Sequence, residues 1–272
     1  MKAFLPGSLR EAVEIRKKHG ACVISGGTDF MVKNKKFDSP VVYIGKLREL
    51  KGIKFSDTYL RIGAATTLSE LLESPLIPTI FKDIIEQMAA PAIRNIATIG
   101  GNVCNASPAG DTLPYLYAVD AKLVIAGPVG ERSVPVENFI RGPGKTDLGE
   151  DEILKEILIP ENSTGEFSLQ FYRKVGTRRA NALSKLSFIG LWRPGDLRVA
   201  FGAVAPTVVR DRGAEQAFVS RIASIDQVIT MYEQKIKPID DQRSTAHYRR
   251  TVAIRLLKYF LNRIEEVRGG FS

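Results

Sequence analysis

The feature that most constrains this chain is the stretch Thr98-Ile99-Gly100-Gly101-Asn102-Val103-Cys104-Asn105-Ala106-Ser107-Pro108-Ala109-Gly110-Asp111. Its fourteen residues include three glycines, two asparagines, a threonine, a serine and an aspartate. A run so dense in small polar residues suits a backbone that wraps a ligand better than one that packs a core. Adjacent glycines lack Cβ, so the main chain can come close to a bound group and can adopt φ > 0. Successive N–H groups in such turns form a concave anion site, strongest where a helix begins. A shorter glycine loop lies upstream at Ser25-Gly26-Gly27-Thr28-Asp29. Two such loops in one small protein point to a single long ligand held from two sides.

The side chains around the loops narrow the ligand class. Thr28, Thr98 and Ser107 offer hydroxyls, and Asn102 and Asn105 offer amides. Asp29 and Asp111 carry the wrong sign for phosphate. They suit ribose or polyol hydroxyls, or a loop cap. A diphosphate with sugar-like arms therefore fits better than a lone phosphate. An ordinary turn is the competing account of Gly26-Gly27 taken alone, whereas the longer run is unusual for a simple connection. No Gly-x-Gly-x-x-Gly follows a strand and no Walker A lysine follows a glycine loop. A dinucleotide here needs a fold other than the Rossmann type.

In order and separation the two loops resemble those of the FAD-binding subunit or domain of the molybdenum hydroxylases, the family of xanthine dehydrogenase and carbon monoxide dehydrogenase. The likeness extends to Leu60-Arg61-Ile62-Gly63-Ala64-Ala65-Thr66-Thr67, to Pro91-Ala92-Ile93-Arg94-Asn95-Ile96-Ala97 and to Gly142-Pro143-Gly144-Lys145. It continues through Asp151-Glu152-Ile153-Leu154, Phe171-Tyr172-Arg173-Lys174, Ala200-Phe201-Gly202-Ala203-Val204-Ala205-Pro206-Thr207 and Tyr248-Arg249-Arg250. It covers nearly the whole chain and is nearest to the separate flavin subunit of bacterial xanthine dehydrogenases. The resemblance implies an α+β fold. A two-part FAD-binding domain of the PCMH (vanillyl-alcohol oxidase-like) type is expected over residues 1–162, with subdomains of about 1–53 and 54–162. A C-terminal α+β domain of the carbon monoxide dehydrogenase flavoprotein type is expected over 163–272.

The resemblance also implies a site. Val23, Ile24, Ser25, Gly26, Gly27, Thr28, Asp29 and Phe30 would wrap one side of the FAD diphosphate, and Thr98, Ile99, Gly100, Gly101 and Asn102 the other. Ser107 and Asp111 would lie beside the cofactor, Ile153 and Leu154 would form an apolar wall to the flavin ring, and Lys174 would stand near it. Read from the sequence alone, Lys174 is equally a surface cation, and Leu154 an ordinary strand residue. No side chain is expected to be catalytic, because the flavin carries the redox chemistry and the protein sets its position. The chain would be the electron-transfer subunit of a molybdenum hydroxylase complex. Iron–sulfur clusters and molybdopterin would sit on partner subunits, and electrons would leave to NAD or another acceptor. Xanthine, another purine or N-heterocycle, an aldehyde and carbon monoxide all remain open as substrates. A stand-alone FAD-dependent oxidase or reductase of the same fold is the alternative, although no catalytic acid–base pair is evident. A basic nucleic-acid-binding module is a third reading.

Cysteine and histidine limit the chemistry. Cys22 and Cys104 are too few for an iron–sulfur cluster, which takes four thiolates. Cys22 opens an apolar run and reads as a small hydrophobe. His19 and His247 lie outside the glycine loops, and the first loop offers no histidine or cysteine, so FAD is expected to be bound non-covalently. Two scattered histidines also give no metal site. The net charge of +9 raises nucleic acid as a partner. However, Lys33, Lys35 and Lys36 and the pairs Arg178-Arg179 and Arg249-Arg250 form no aromatic-interleaved stripe. No apolar run approaches the roughly 20 residues of a membrane span, and Met1 to Pro6 has no signal core. A cytoplasmic location is expected.

The local patterns supply the scaffold. Ser8-Leu9-Arg10-Glu11 reads as a capping box opening a helix that ends at Gly20. Strands are expected at Cys22 to Ser25, Val41 to Ile44, Tyr59 to Ala64, Lys122 to Ala126 and Ile153 to Ile159. Thr67-Leu68-Ser69-Glu70 caps a further helix, and Ile80, Phe81, Ile84, Ile85 and Met88 repeat at helical spacing. After a polar linker near Pro160 to Gly165 come strands at Ser168 to Lys174, Leu186 to Trp192 and Arg198 to Val204. Helices at Ile225 to Lys235 and Tyr248 to Ile264 follow, suggesting a separate α+β layer.

Overall fold

A computed structural model describes residues 2–33, 38–178 and 182–269. Lys35, Lys36 and Arg179, named above among the basic residues, lie outside these. The chain divides into two compact units: Met1–Ser107 with Asp120–Thr164, and Pro108–Val119 with Gly165–Ser272.

The first unit opens as a β–α–β layer. Strands β1 (Ala3–Phe4), β2 (Cys22–Ile24) and β3 (Val41–Tyr43) pair in parallel in the order β1-β3-β2. Helix α1 (Leu9–His19) joins β1 to β2, and the short α2 (Thr28–Lys33) follows β2. Ser8 Oγ accepts the Glu11 N–H at 3.2 Å to start α1, and Gly20 ends it in the left-handed region at φ 58°. The Glu11 carboxylate, expected to close the capping box on Ser8, accepts instead from the Gly7 N–H at 2.7 Å. Leu9, Ala12 and Val13 on α1 then pack into one core with Val42, Ile44 and Leu50.

The rest of this unit is an antiparallel sheet with helices. In chain order come β4 (Ile53–Ser56), β5 (Tyr59–Gly63), α3 (Leu68–Glu73), α4 (Thr79–Glu86), α5 (Pro91–Arg94) and α6 (Ile99–Cys104). After α7 (Thr112–Ala118), which belongs to the second unit, follow β6 (Lys122–Gly127), β7 (Gly130–Pro135) and α8 (Val136–Phe139). The hairpin β8 (Ile140–Gly142) to β9 (Lys145–Thr146) and then β10 (Ile153–Pro160) complete it. The sheet order is β4-β5-β10-β6-β7, so β10 is central. A central strand covered on both faces reads as a nearly continuous apolar run, as Ile153-Leu154 and Ile157-Leu158-Ile159 do. Thr67 and Glu70 form the expected reciprocal box on α3, and the stripe Phe81, Ile84, Ile85 and Met88 is buried.

One expectation fails here. The run from Thr98 is not an open wrapping loop throughout; its first part is α6, with Ile99, Gly100 and Val103 buried. Two glycines and an asparagine depress helix propensity. The helix forms because Thr98 caps it, its Oγ1 accepting the Gly101 N–H at 3.2 Å. Tertiary bonds fix its start: Ile99 N–H donates to Thr66 O at 3.0 Å and Gly100 N–H to Ala64 O at 2.9 Å.

The second unit holds the antiparallel sheet β11 (Leu169–Val175), β12 (Leu186–Arg193), β13 (Asp196–Gly202) and β14 (Val209–Arg210), in that order. Helices α9 (Arg212–Val219), α10 (Ile225–Lys235) and α11 (Ala246–Gly269) follow. The α10 bounds match its sequence pattern, and α11 runs further at both ends. The core is aromatic. Phe188 meets Phe201 edge-on at 5.0 Å and Phe260 at 5.8 Å, while Tyr232 meets Phe201 at 5.7 Å. Gly190 lets this happen, since a Cβ there would stand 2.4 Å from the Phe260 ring. The expected linker near residue 163 leaves 108–119 with the first part of the chain, but that segment packs with the second unit. Ala203 N–H donates to Pro108 O at 2.8 Å, and Arg198 Nη1 donates to Ala118 O at 3.2 Å.

Candidate functional site

The first glycine loop is built by its glycines. Gly27 adopts φ 71°, which disfavours any side chain. Gly26 runs against the backbone of residues 96–97, where a Cβ would stand 1.8 Å from the Ile96 carbonyl oxygen. The chain therefore turns tightly out of β2 into α2. Among the described residues, the N–H groups of Gly26, Gly27 and Thr28 meet no acceptor in the chain. The hydroxyl of Ser25 is buried and without a hydrogen-bond partner. Buried polar groups are normally satisfied, and this set suits a ligand rich in acceptors.

The second run contributes differently. The amides of Ile99, Gly100, Gly101 and Asn102 are all engaged within the chain, the last by Thr98 O at 3.0 Å. The expectation of bare amides on both flanks thus holds at the first loop and fails at the second, because α6 consumes them. Gly100 is required by packing: a Cβ would stand 2.6 Å from Ala64. Gly101 is different. Its Cβ would meet only Thr98 Oγ1, at 3.0 Å, and otherwise nothing in the chain. Packing explains Gly26 and Gly100, and φ explains Gly27. At Gly101 neither packing nor φ demands a glycine, and the residue lines the cavity described next.

These elements surround a cavity of about 550 Å³ inside the first unit, a volume ordinary for small-molecule sites. Val23, Ser25, Gly100, Gly101, Ile153 and Leu154 from the expected set line it. Ile24, Gly26, Gly27, Thr28, Asp29, Phe30, Thr98, Ile99, Asn102 and Ser107 lie in the same unit but off its walls. Arg16, Cys22, Ile44, Ala64, Cys104, Leu148 and Glu150 also line it; of these the sequence points only to Cys104, as a member of the Thr98–Asp111 run, and names none as a cofactor contact. For Arg16 a signal existed. The buried stripe Leu9, Ala12, Val13 continues at helical spacing onto this arginine.

The wall formed by residues 147–152 is tied by charge. Arg132 binds Glu152 with two nitrogens, both at 2.7 Å, and reaches Asp147 Oδ2 at 2.9 Å. The hydrogen bonds from Arg132 hold the Glu152 carboxyl below the usual carboxylate range. Arg16 Nε donates to Glu150 O at 2.6 Å and Nη2 to Gly149 O at 3.1 Å. Burial drives the Arg16 pKa down, and burial pushes the Cys104 thiol up to about 12 and the Cys22 thiol in the same direction. Both thiols stay neutral at pH 7. Cys22 lines the cavity as a small neutral side chain.

Asp111 and Lys174 belong to the second unit. Lys174 Nζ lies 2.7 Å from Asp111 Oδ2, with the two side chains 8% and 7% exposed, and Ser184 Oγ donates to the other Asp111 oxygen. Lys174 is thus no surface cation but half of a buried pair. Burial, then the Asp111 charge, raises the Tyr172 phenol pKa. Among the described residues, no group of three or more histidine, cysteine, aspartate or glutamate side chains could hold a metal ion. Among the described residues, no helix is long and apolar enough to cross a membrane.

Comparison with known proteins gives a consistent result. Residues 1–162 match the FAD binding domain in molybdopterin dehydrogenase, and residues 177–264 match the carbon monoxide dehydrogenase flavoprotein C-terminal domain. The chain is 32% identical over 267 residues to the putative xanthine dehydrogenase FAD-binding subunit of Escherichia coli, covering 92% of this chain and 90% of that one. It is 28% identical over 272 residues to the carbon monoxide dehydrogenase medium chain of Hydrogenophaga pseudoflava, covering 94% of each. Its fold superposes with a TM-score of 0.86 on a chain of a solved carbon monoxide dehydrogenase from Hydrogenophaga pseudoflava, one lacking the Mo-pyranopterin moiety of its cofactor. That match has 25% identity and covers 95% of both chains.

Proposed function

The chain belongs to the family of FAD-binding domains of the molybdopterin dehydrogenases, and from that premise we propose that it holds FAD non-covalently and, within a molybdenum hydroxylase complex, passes electrons from a partner subunit to NAD or another acceptor. The observation that carries the reading is the cavity with the buried, unpartnered Ser25 hydroxyl on its wall, bare amides at Gly26, Gly27 and Thr28 beside it, and an uncovered glycine at Gly101. These are the fittings of a diphosphate cradle, so the residues present fit FAD. When bound, the flavin takes up electrons singly and gives them up in pairs.

The chain's own residues bind and orient. The amides after β2 donate to diphosphate oxygens, with the Ser25 hydroxyl supplementing them. Ile24, Asp29 and Phe30 belong to the two elements that hold this turn. Thr98, Ile99 and Asn102 build the α6 turn that presents Gly101. Val23, Ile153 and Leu154 exclude water from a ring of the cofactor. The Asp111 carboxylate fixes the Lys174 ammonium in one position. By resemblance to the family, Ser107 and Asp111 would lie beside the cofactor and Lys174 near the flavin.

The relatives' names, a subunit and a medium chain, support work within a complex. Electrons would arrive from iron–sulfur clusters on one partner, after oxidation of a substrate at molybdopterin on another, and leave to NAD or a different acceptor. One relative is named for xanthine and the other for carbon monoxide, so the substrate is set on another chain. A cytoplasmic location agrees with this role. The direct test is purification of the chain. Yellow protein releasing FAD on denaturation, with no substrate turnover until partner subunits are added, is expected. A colourless chain that refuses added FAD would overturn the proposal, and turnover by the isolated chain would make it a stand-alone flavoenzyme.

A further inference from the structure

Residues 91–97 carry part of the family likeness, yet they line no wall of the cavity. Their place in the fold gives them another use. On one side they touch the first glycine loop. The three heavy atoms nearest a Cβ on Gly26 would all belong to Ile96 and Ala97, the closest being the Ile96 oxygen at 1.8 Å. The Gly26 methylene therefore rests on the Ile96 carbonyl. On the other side the stretch runs directly into Thr98, whose hydroxyl caps α6, the helix that presents Gly101 to the cavity. This turn is the spacer between the two glycine elements, and where it sits decides how far apart they stand.

Arg94 anchors the turn. It is the only charged residue between Met88 and Ile99, and it is spent on backbone. Nη1 alone donates to Ala89 O at 2.8 Å, Met88 O at 2.9 Å and Glu86 O at 3.3 Å, while the buried Nε meets no partner. These carbonyls stand at the C-terminal end of α4, where the last turn lacks donors of its own. Ala89 among them holds a left-handed φ of 47°. A second tie joins the turn to α3, Ser69 Oγ donating to Asn95 Oδ1 at 2.6 Å. We propose that Arg94 is a positioning residue for cofactor binding: by anchoring residues 91–97 to the end of α4 it fixes the spacing between Gly26 and Gly101, and so the grip on the diphosphate. It acts through the Ile96 carbonyl and not by touching the ligand.

This inference deepens the cofactor reading above, and the test separates the two. Wild type, Arg94→Met, Arg94→Lys and Ser69→Ala are prepared as apo-proteins, each with and without Ser25→Ala. FAD titration followed by flavin fluorescence and urea unfolding are recorded for all. Methionine removes the donor. Lysine is the rescue, because one ammonium carries three donors for the three carbonyls that one nitrogen now serves. Arg94→Met is expected to bind FAD about tenfold more weakly, the loss of roughly one hydrogen bond to the diphosphate. Arg94→Lys should recover most of that loss, and Ser69→Ala should show a smaller one. Once the turn is released the Ser25 hydroxyl no longer meets its acceptor, so adding Ser25→Ala to Arg94→Met should weaken FAD little further. A residue that merely caps α4 would give penalties that combine independently. Independent penalties, unchanged FAD affinity in Arg94→Met, or no recovery by lysine overturns the inference. If Arg94→Met does not fold, Ser69→Ala takes its place in the cycle, with the same coupling to Ser25 expected and independence overturning. Failure of wild type to bind FAD at all defeats the cofactor reading itself, and this inference with it.

Discussion

Replacing Gly101 by alanine should separate cofactor binding from folding. In α6 a glycine costs roughly 0.5–1 kcal/mol relative to alanine. The new methyl would sit 3.0 Å from Thr98 Oγ1, squeezing a cap worth about 1 kcal/mol. The two effects oppose each other, so the apo-protein should change by less than about 1 kcal/mol, a few degrees in Tm. The methyl also enters the space facing the cavity. Overpacking there costs about 1–3 kcal/mol, which at 1.4 kcal/mol per decade weakens FAD by roughly 10- to 100-fold. Gly26→Ala provides the contrast. Its Cβ would lie 1.8 Å from the Ile96 oxygen, a backbone atom that cannot swing aside. That variant should lose about 3 kcal/mol of apo stability. Urea unfolding of the apo-proteins and fluorescence titration with FAD give both numbers. Wild-type FAD affinity in Gly101→Ala, or a stability loss as large as that of Gly26→Ala, would refute the reasoning.

Three further outcomes are expected. Ser25→Ala removes a buried hydroxyl that has no partner. It should leave the apo-protein as stable or about 1 kcal/mol more stable while weakening FAD several-fold; calorimetry that finds FAD binding unaltered would remove Ser25 from the site. Cys104, with its thiol pushed up to about 12 by burial, should react with iodoacetamide slowly at pH 8 and about tenfold faster per pH unit above it; rapid labelling at pH 7, read by peptide mass spectrometry, would contradict so high a pKa. A hydrogen bond from Arg249, helped by the backbone N–H groups of Arg243 and Ser244, holds Asp241 at about 2, below its unfolded value near 3.9. The ionised carboxylate therefore stabilises the fold fully above about pH 4, and that support fades as pH falls toward 2. Asp241→Asn should cost on the order of 1 kcal/mol at pH 7 and almost nothing near pH 2, as urea unfolding at the two pH values will show.

Legibility in the sequence followed the range of the forces involved. Ser8, Gly20, Thr67 and Glu70 act within one helical turn, so α1 and α3 could be read directly. The Phe81 to Met88 stripe and the apolar β10 were equally plain, because burial repeats with the period of the element. Gly26 and Gly27 stood out, but their reason did not: one avoids a carbonyl 70 positions away, and the other takes a left-handed turn. Helix α6 was hidden because local propensity opposes it and contacts to Ala64 and Thr66 decide. Arg16 was hidden differently. Beside Lys17, Lys18 and His19 it looks like one more cation favouring a helix C-terminus. The Leu9, Ala12, Val13 spacing marks the face it lies on, but the carbonyls of residues 149 and 150, far along the chain, are what reveal its partners.

The excursion of residues 108–119 has a consequence for anyone wishing to divide this protein. The polypeptide passes between its two units at three junctions rather than one. A truncation after Thr164 would retain α7 while discarding β12 and β13. Leu113, Tyr115 and Leu116, at most 1% exposed in the intact protein, would then be stranded in water. No single scission yields two clean halves, and a gene fragment encoding only the flavin half inherits an orphaned, sticky helix.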